Sequence, residues 1–261
     1  DLHSFPTRRS SDLNADPPDH TRLRLLIAKA FTGRTVERLR PRVEEITGGL
    51  LDAMAGRTTV DIVRDLAVPL PVTVICELLG VPEADRDDLR RWSDAFVSAG
   101  GGPMVNEAAR DLTEYLTTLI AGKRDHPTDD LLTSLIQVRD GDGDRLSEFE
   151  LVSMASLLLT AGHETTMNLI GNGIFALLRH PDQLAALRAD PALLPHAIEE
   201  FLRYESPVGN STLRYTTEPV RLGDVTIPAH AVVLLSLGSA NRDGTRFADA
   251  DRLDITRESQ R

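Results

Sequence analysis

The sequence predicts a mainly α fold with a small β region. Three observations carry this. Apolar residues recur at spacings of three and four from His20 to Arg203. One 28-residue stretch, Leu151 to Leu178, holds a single formally charged residue, Glu164. Short strand-like runs, punctuated by Gly223-Asp224 and Pro228, begin only at Val220.

The elements follow in order. Leu25, Leu26, Lys29 and Ala30, then Val36, Leu39, Val43, Ile46 and Leu50, mark helical faces. Pro69-Leu70-Pro71 is expected to break the chain before a helix over 72–79, which Gly80 and Pro82 end. A charged amphipathic stretch covers 83–97, a loop 100–103 and a helix 107–123. Asp140-Gly141-Asp142-Gly143-Asp144 reads as a turn-rich connector. Ser147 and Glu150 have capping-box spacing and open the apolar stretch. That stretch is long enough to suggest a membrane span. Ser153, Ser156, Thr160, Asn168, Asn172 and three glycines interrupt it, and no cationic flank precedes it, so a helix buried inside a helical domain fits better. Pro181 and Pro191 mark boundaries, a helix is expected over 197–204, and strands over 220–222, 225–227 and 232–237.

Bulk properties narrow the function. With 261 residues the chain has room for one large domain or two small ones. Aromatic residues are only 4% against 41% hydrophobic, so the core is aliphatic. A net charge of −11 disfavours nucleic-acid binding, including a helical DNA-binding regulator, because such proteins need a basic footprint. The single cysteine, Cys76, cannot form an internal disulfide, which fits a reducing cytoplasm. Asp1 to Asp19 lacks a signal-peptide apolar region, and residues 4–13 have neither helix nor strand periodicity. Residues 1–19 are therefore expected to be foreign to the fold or disordered, and the domain to cover 20–261.

The chemistry concentrates in the apolar stretch. Glu164 sits among apolar residues, where a carboxylate is costly unless paired or useful. One turn before Thr165 stand Ala161 and Gly162, small enough to let something large approach the backbone. A glycine beside a threonine that can bond its own helix favours a local bulge. A helix crossing with Glu164 paired to a distant arginine explains the same residues. A metalloprotease does not, because His163-Glu164-Thr165-Thr166 is followed by Met167 and the second histidine of H-E-x-x-H is missing.

Ala161-Gly162-His163-Glu164-Thr165-Thr166 resembles the oxygen-binding helix of bacterial cytochromes P450, with its A-G-x-E/D-T-T/S pattern. The resemblance implies a helix crossing the distal face of a haem. Gly162 would leave room for dioxygen, Thr165 would serve oxygen activation, and Glu164 would deliver protons. Glu199 and Glu200 both share a helical face with Arg203, and spacing cannot choose between them. The segment 197–207 resembles the family's E-x-x-R helix, which selects Glu200 and Arg203 as a structural core, with Arg252 as the third basic member. His20-Thr21-Arg22-Leu23-Arg24 resembles the family's H-T-R-L-R segment, which gives His20 and Arg24 haem-propionate roles; Arg214 resembles another propionate ligand. Ala240-Asn241-Arg242-Asp243 matches a further family segment. Ile227-Pro228-Ala229-His230 departs from I-P-A-G, so His230 is expected to strain a turn that prefers positive φ.

The resemblance thus implies a cytochrome P450-type helical fold, incomplete in this chain, with haem b as cofactor. The implied reaction inserts one oxygen of dioxygen into a small organic substrate. Electrons would come from a ferredoxin or similar acidic partner. Arg22, Arg24, Lys29, Arg34, Arg38, Arg40 and Arg42 either dock that partner or form a solvated face. The family's axial cysteine lies in a glycine-rich loop downstream of the Ala240–Asp243 segment, and the chain ends at Arg261 without it. Cys76, in an apolar helix, does not substitute. Lacking the thiolate, the chain is expected not to hydroxylate. A helical module that simply captures an apolar ligand is the alternative from a different class.

Overall fold

The computed structural model describes residues 15–31, 33–97, 103–138, 143 and 145–258. It divides into two compact units, Asp1–Met167 and Asn168–Arg261, with the boundary inside one long helix. The segment 1–13 thought to be foreign lies outside the described residues, as does most of the 100–103 loop and the 140–144 connector. Ala15 packs against the first unit's core, and Asp19 is the first residue of a helix.

In the first unit α1 spans Asp19–Ala30 and α2 spans Gly33–Met54. A short π-type turn, Val63–Ala67, leads into α3, Pro69–Leu78. The expected break at Pro69-Leu70-Pro71 is instead the first turn of α3. Proline is tolerated there because first-turn amides have no intrahelical acceptor to lose. A single 3-10 turn, Glu83–Asp85, precedes α4, Arg86–Val97; α5 runs Pro103–Asp125 and α6 Leu131–Gln137. The long helix α7 covers Glu148–Arg179. Its start is the expected capping box. Glu150 Oε2 accepts from the Ser147 amide at 2.8 Å, and Ser147 Oγ accepts from the Glu150 amide at 3.3 Å. Helix α7 stays α-helical throughout, so the bulge expected near Gly162 is not formed. The Thr165 and Thr166 hydroxyls instead donate to the carbonyls of Ala161 and Gly162, at 2.9 and 3.1 Å.

The first unit's core is one cluster of aliphatic side chains, among them Leu23, Leu26, Leu79, Leu116, Leu132 and Leu151. Two polar devices lie at its edge. Lys123 pairs with Asp130 and donates to Thr128 Oγ1 at 3.0 Å, while Asp130 Oδ1 caps α6 by accepting from the Thr133 amide at 2.8 Å. Tyr115 donates its hydroxyl to Asp85 at 2.8 Å and stacks at a tilt against Trp92, ring centroids 5.7 Å apart. Not all of α7 is buried. Phe175 and Leu178 remain 64% exposed, so an all-round apolar helix here presents a bare face. Among the described residues no helix is long and apolar enough to cross a membrane.

The second unit contains the end of α7, then α8 (Pro181–Ala189), a 3-10 turn (Pro191–Leu193) and α9 (Leu194–Tyr204). Two antiparallel ribbons follow. β1 (Arg214–Tyr215) pairs with β4 (Val232–Val233), and β2 (Val220–Leu222) with β3 (Val225–Ile227), the latter turning at Gly223 with φ +57°. The strand expected over 232–237 stops at Val233. Ser236 caps a short helix α10, Leu237–Ala240, accepting from the Ser239 amide. Ala176, Ala197, Phe201, Leu253 and Ile255 form this unit's apolar core.

Candidate functional site

The site grows from the way α1 and α7 divide their faces. In α1, Leu23, Leu26 and Ile27 fall at helical spacing and turn inward. Arg24, one position on from Leu23, is left exposed. Arg22 pairs with Glu150, the capping residue of α7, which ties the two helices together. Burial pulls the Glu150 carboxyl upward, but the Ser147 hydrogen bonds and Arg22 outweigh it and hold it below the usual range. In α7, Ala155, Leu159 and His163 repeat every fourth residue on the core face. His163 is 3% exposed, and its Nδ1 lies 2.7 Å from the Leu159 carbonyl. A carbonyl only accepts, so Nδ1 carries the hydrogen.

The carboxylate expected to be buried, Glu164, therefore lies one step around the helix from the core, half-buried; the buried titratable residue is His163. Glu164 has no ion-pair partner among the described residues, so the expected pair with a distant arginine is not seen there.

Between α1, α2, α3 and α7 lies a cavity of about 600 Å³. Its walls include Ile27, Val43, Ile75, Leu158, Ala161 and Gly162, and among the described residues its only polar side chains are those of Arg24 and Thr166. Of the residues singled out from sequence, the cavity brings together Arg24, Ala161 and Gly162. His20, half-buried in the first turn of α1, is not on its wall, nor are Glu164 and Thr165. Thr166 and Ile75 line it and were not anticipated. At Gly162, what approaches the backbone is Ile75: a Cβ there would stand 3.1 Å from Ile75 Cδ1.

This lining suits a flat apolar macrocycle with carboxylate arms. Aliphatic walls remove the ring from water, and the Arg24 guanidinium offers a planar donor pair for a carboxylate. An axial ligand is another matter. Among the described residues no group of three or more His, Cys, Asp or Glu is placed to hold a metal. Cys76 is fully buried in the core, off the cavity wall, and burial pushes its thiol up to about 11.

The second unit holds a buried polar network. Arg203 and Glu200 pair in bidentate fashion at 2.8 and 2.8 Å. Arg203 spends its three remaining hydrogens on the carbonyls of Asn241, Ala250 and Arg252. The third basic side chain is Arg257, whose Nε reaches Glu200 at 3.2 Å. Arg252 gives the network only its carbonyl, and its exposed side chain points elsewhere, which corrects the assignment made from sequence. No periodic signal marks Arg257, because the turns after Asp249 have no repeating geometry. Arg214 is exposed on β1.

A family model described as Cytochrome P450 matches residues 101–259. The chain belongs to the cytochrome P450 family. It is 60% identical over 247 residues to "Cytochrome P450 107B1" of Saccharopolyspora erythraea, covering 95% of this chain and 61% of the relative. It is 50% identical over 266 residues to "Vitamin D(3) 25-hydroxylase" of Pseudonocardia autotrophica, covering 98% and 66%. Among solved structures, the cytochrome P450 PksS of Bacillus subtilis superposes with a TM-score of 0.93 at 40% identity, covering 98% of this chain and 66% of that one. This cytochrome P450 chain thus spans about three fifths to two thirds of the relatives' length, and the mainly α, incomplete fold expected from sequence is the family's own.

Proposed function

We propose that this chain supplies the distal wall and one propionate corner of a haem monooxygenase that hydroxylates a bulky, mostly apolar molecule. The observation that carries the reading is the apolar cavity bounded by Arg24 on α1 and the Ala161–Gly162 turn on α7. Haem, when bound, supplies activation of dioxygen and insertion of one oxygen atom into the substrate.

The chain's own residues do the rest. Arg24 holds a propionate by a charge-assisted pair. His20, one turn earlier, and Arg214, on β1, take the same chemistry from the family resemblance alone. Ala161 and Gly162 keep the wall thin. Glu164, half-buried and without a cationic partner among the described residues, and Thr165 beside it lie off the cavity wall; their proton-delivery and oxygen-activation roles rest on the family resemblance alone. The Thr165 hydroxyl hydrogen is engaged by Ala161, so its oxygen is left to accept.

Relatives bearing the names vitamin D(3) 25-hydroxylase and 6-deoxyerythronolide B hydroxylase support the substrate class. A redox partner of ferredoxin type completes the proposal, in a cytoplasmic setting. The basic stretch that would attract it is largely neutralised. Arg38 pairs with Asp129, Arg40 with Glu37, and Arg42 with Glu45 and Glu77. Such exposed pairs are weak enough to be exchanged for a partner's carboxylates.

The test is a haemin titration of the 261-residue chain, read by the Soret band. Uptake is expected, with Arg24→Ala weakening it about tenfold, the loss of one charge-assisted pair. Uptake of an apolar dye with no haemin uptake would favour a simple apolar-ligand binder instead.

A further inference from the structure

We propose that Ile75 is a positioning residue for the haem-facing wall, locking α3 onto α7 through the space that Gly162 leaves. The inference rests on the haem reading of the cavity. A β-carbon on residue 162 would stand 3.1 Å from Ile75 Cδ1, 3.3 Å from Cγ1 and 3.9 Å from Cβ. The first two distances are tighter than ordinary contact, so Ile75 packs closer to residue 162 than a side chain there would comfortably allow. Ile75 is 7% exposed and lines the cavity itself, so this contact forms part of the wall.

The wedge is stiff. Isoleucine is branched at Cβ and strongly restricted in χ1. Rotation about χ2 would move Cδ1 aside but leave Cγ1 in place. A β-carbon at 162 therefore asks Ile75 to give by a few tenths of an ångström, through χ1 or a small shift of α3. Helix α3 is in turn pre-set by Pro69 and Pro71 in its first turn. Its neighbouring residues Val74 and Leu78 line the same cavity, so a shift of α3 changes the wall over two turns. Gly162 on this account sets how close α3 comes, and Ile75 fills the notch.

Cys76 is a built-in reporter. It follows Ile75 on α3, is 0% exposed, and is the only cysteine in the sequence. Its reaction with a disulfide reagent such as DTNB reads how far α3 opens from the core.

The experiment is a double-mutant cycle in the 261-residue chain, pairing Gly162→Ala with Ile75→Val and with Ile75→Ala, the valine guarding against misfolding of the alanine variant. Gly162→Ala alone is expected to speed Cys76 labelling about fivefold or more and to weaken haemin binding about tenfold. In the Ile75→Ala background the same change is expected to alter both by less than about twofold, with Ile75→Val between, because valine keeps the Cγ1 contact. Equal ratios in all backgrounds would overturn the lock. Coupled labelling rates with haemin affinity unmoved by Gly162→Ala would overturn the positioning role. Failure of every variant, wild type included, to take up haemin would remove the haem reading, while the labelling cycle still decides the lock.

Discussion

Arg257 donates from Nε to Glu200 Oε2 at 3.2 Å, joining residues 57 positions apart. Glu200 Oε1 accepts from Arg203 and from the Asp254 amide at 2.9 Å, so each carboxylate oxygen meets two donors. Arg203 likewise spends all five of its hydrogens. A buried charge is tolerable only when so completely met. Glu200→Ala should therefore cost about 3–5 kcal/mol, because it strands Arg203. Arg257→Ala should cost about 1–2 kcal/mol, and Arg252→Ala less than about 0.5 kcal/mol, since its carbonyl survives the change. Urea midpoints rank the three; Arg252→Ala costing more than Arg257→Ala would reverse the assignment of the third basic residue.

Gly80 has φ +65°, and a β-carbon there would land on Asp130 Oδ2 and Lys123 Nζ. Gly80→Ala should thus cost about 3 kcal/mol or more, combining left-handed strain with displacement of a buried pair. The same substitution at Gly56, φ +78° with open space around it, should cost only the backbone penalty of about 1–2 kcal/mol. Thermal unfolding of the two variants checks the difference.

Cys76 sets an alkaline limit. Burial favours its neutral form and raises the thiol from 9.0 to about 11. An unfolded chain loses that proton earlier, so this group's contribution is complete below pH 9 and is lost as pH rises toward 11. The loss is on the order of 2–3 kcal/mol across that window. Burial pushes the Tyr115 hydroxyl up as well, with Asp85 adding to the shift, so its contribution has the same sign. Urea unfolding between pH 8 and 11 should show a steeper fall for wild type than for Cys76→Ala. Parallel slopes would mean that the thiol is not protected.

His230 adopts φ +60° where the family pattern has glycine. Its amide still donates to the Thr216 carbonyl at 2.7 Å, so the turn is kept despite the side chain. His230→Gly should stabilise the chain by about 0.5–1 kcal/mol, the relief of left-handed strain less the added freedom of the unfolded state. A lowered thermal midpoint would show that the imidazole makes a compensating contact.

Much of this was readable along the chain. The capping box at Ser147 and Glu150 and the ribbon 220–227 involve neighbours a few positions apart, where spacing alone dictates geometry; for Arg203 spacing offered both Glu199 and Glu200, and the resemblance to the E-x-x-R helix chose Glu200. The burial of His163 rather than Glu164 was readable in principle, since Ala155, Leu159 and His163 repeat every fourth residue. Apolar composition on every side of the helix hid that phase.

The amino-acid sequence by itself determined the helical class, the order of the elements and the family motifs, because hydrophobic period, caps and glycine or proline punctuation act over a few residues. Only the tertiary structure decided that Arg257 rather than Arg252 completes the buried network, that Ile75 packs at Gly162, and that Arg24 and Thr166 are the polar side chains on the cavity wall. Those are contacts between residues tens of positions apart, fixed by how helices pack and by which buried charges must be met, and no local pattern encodes them.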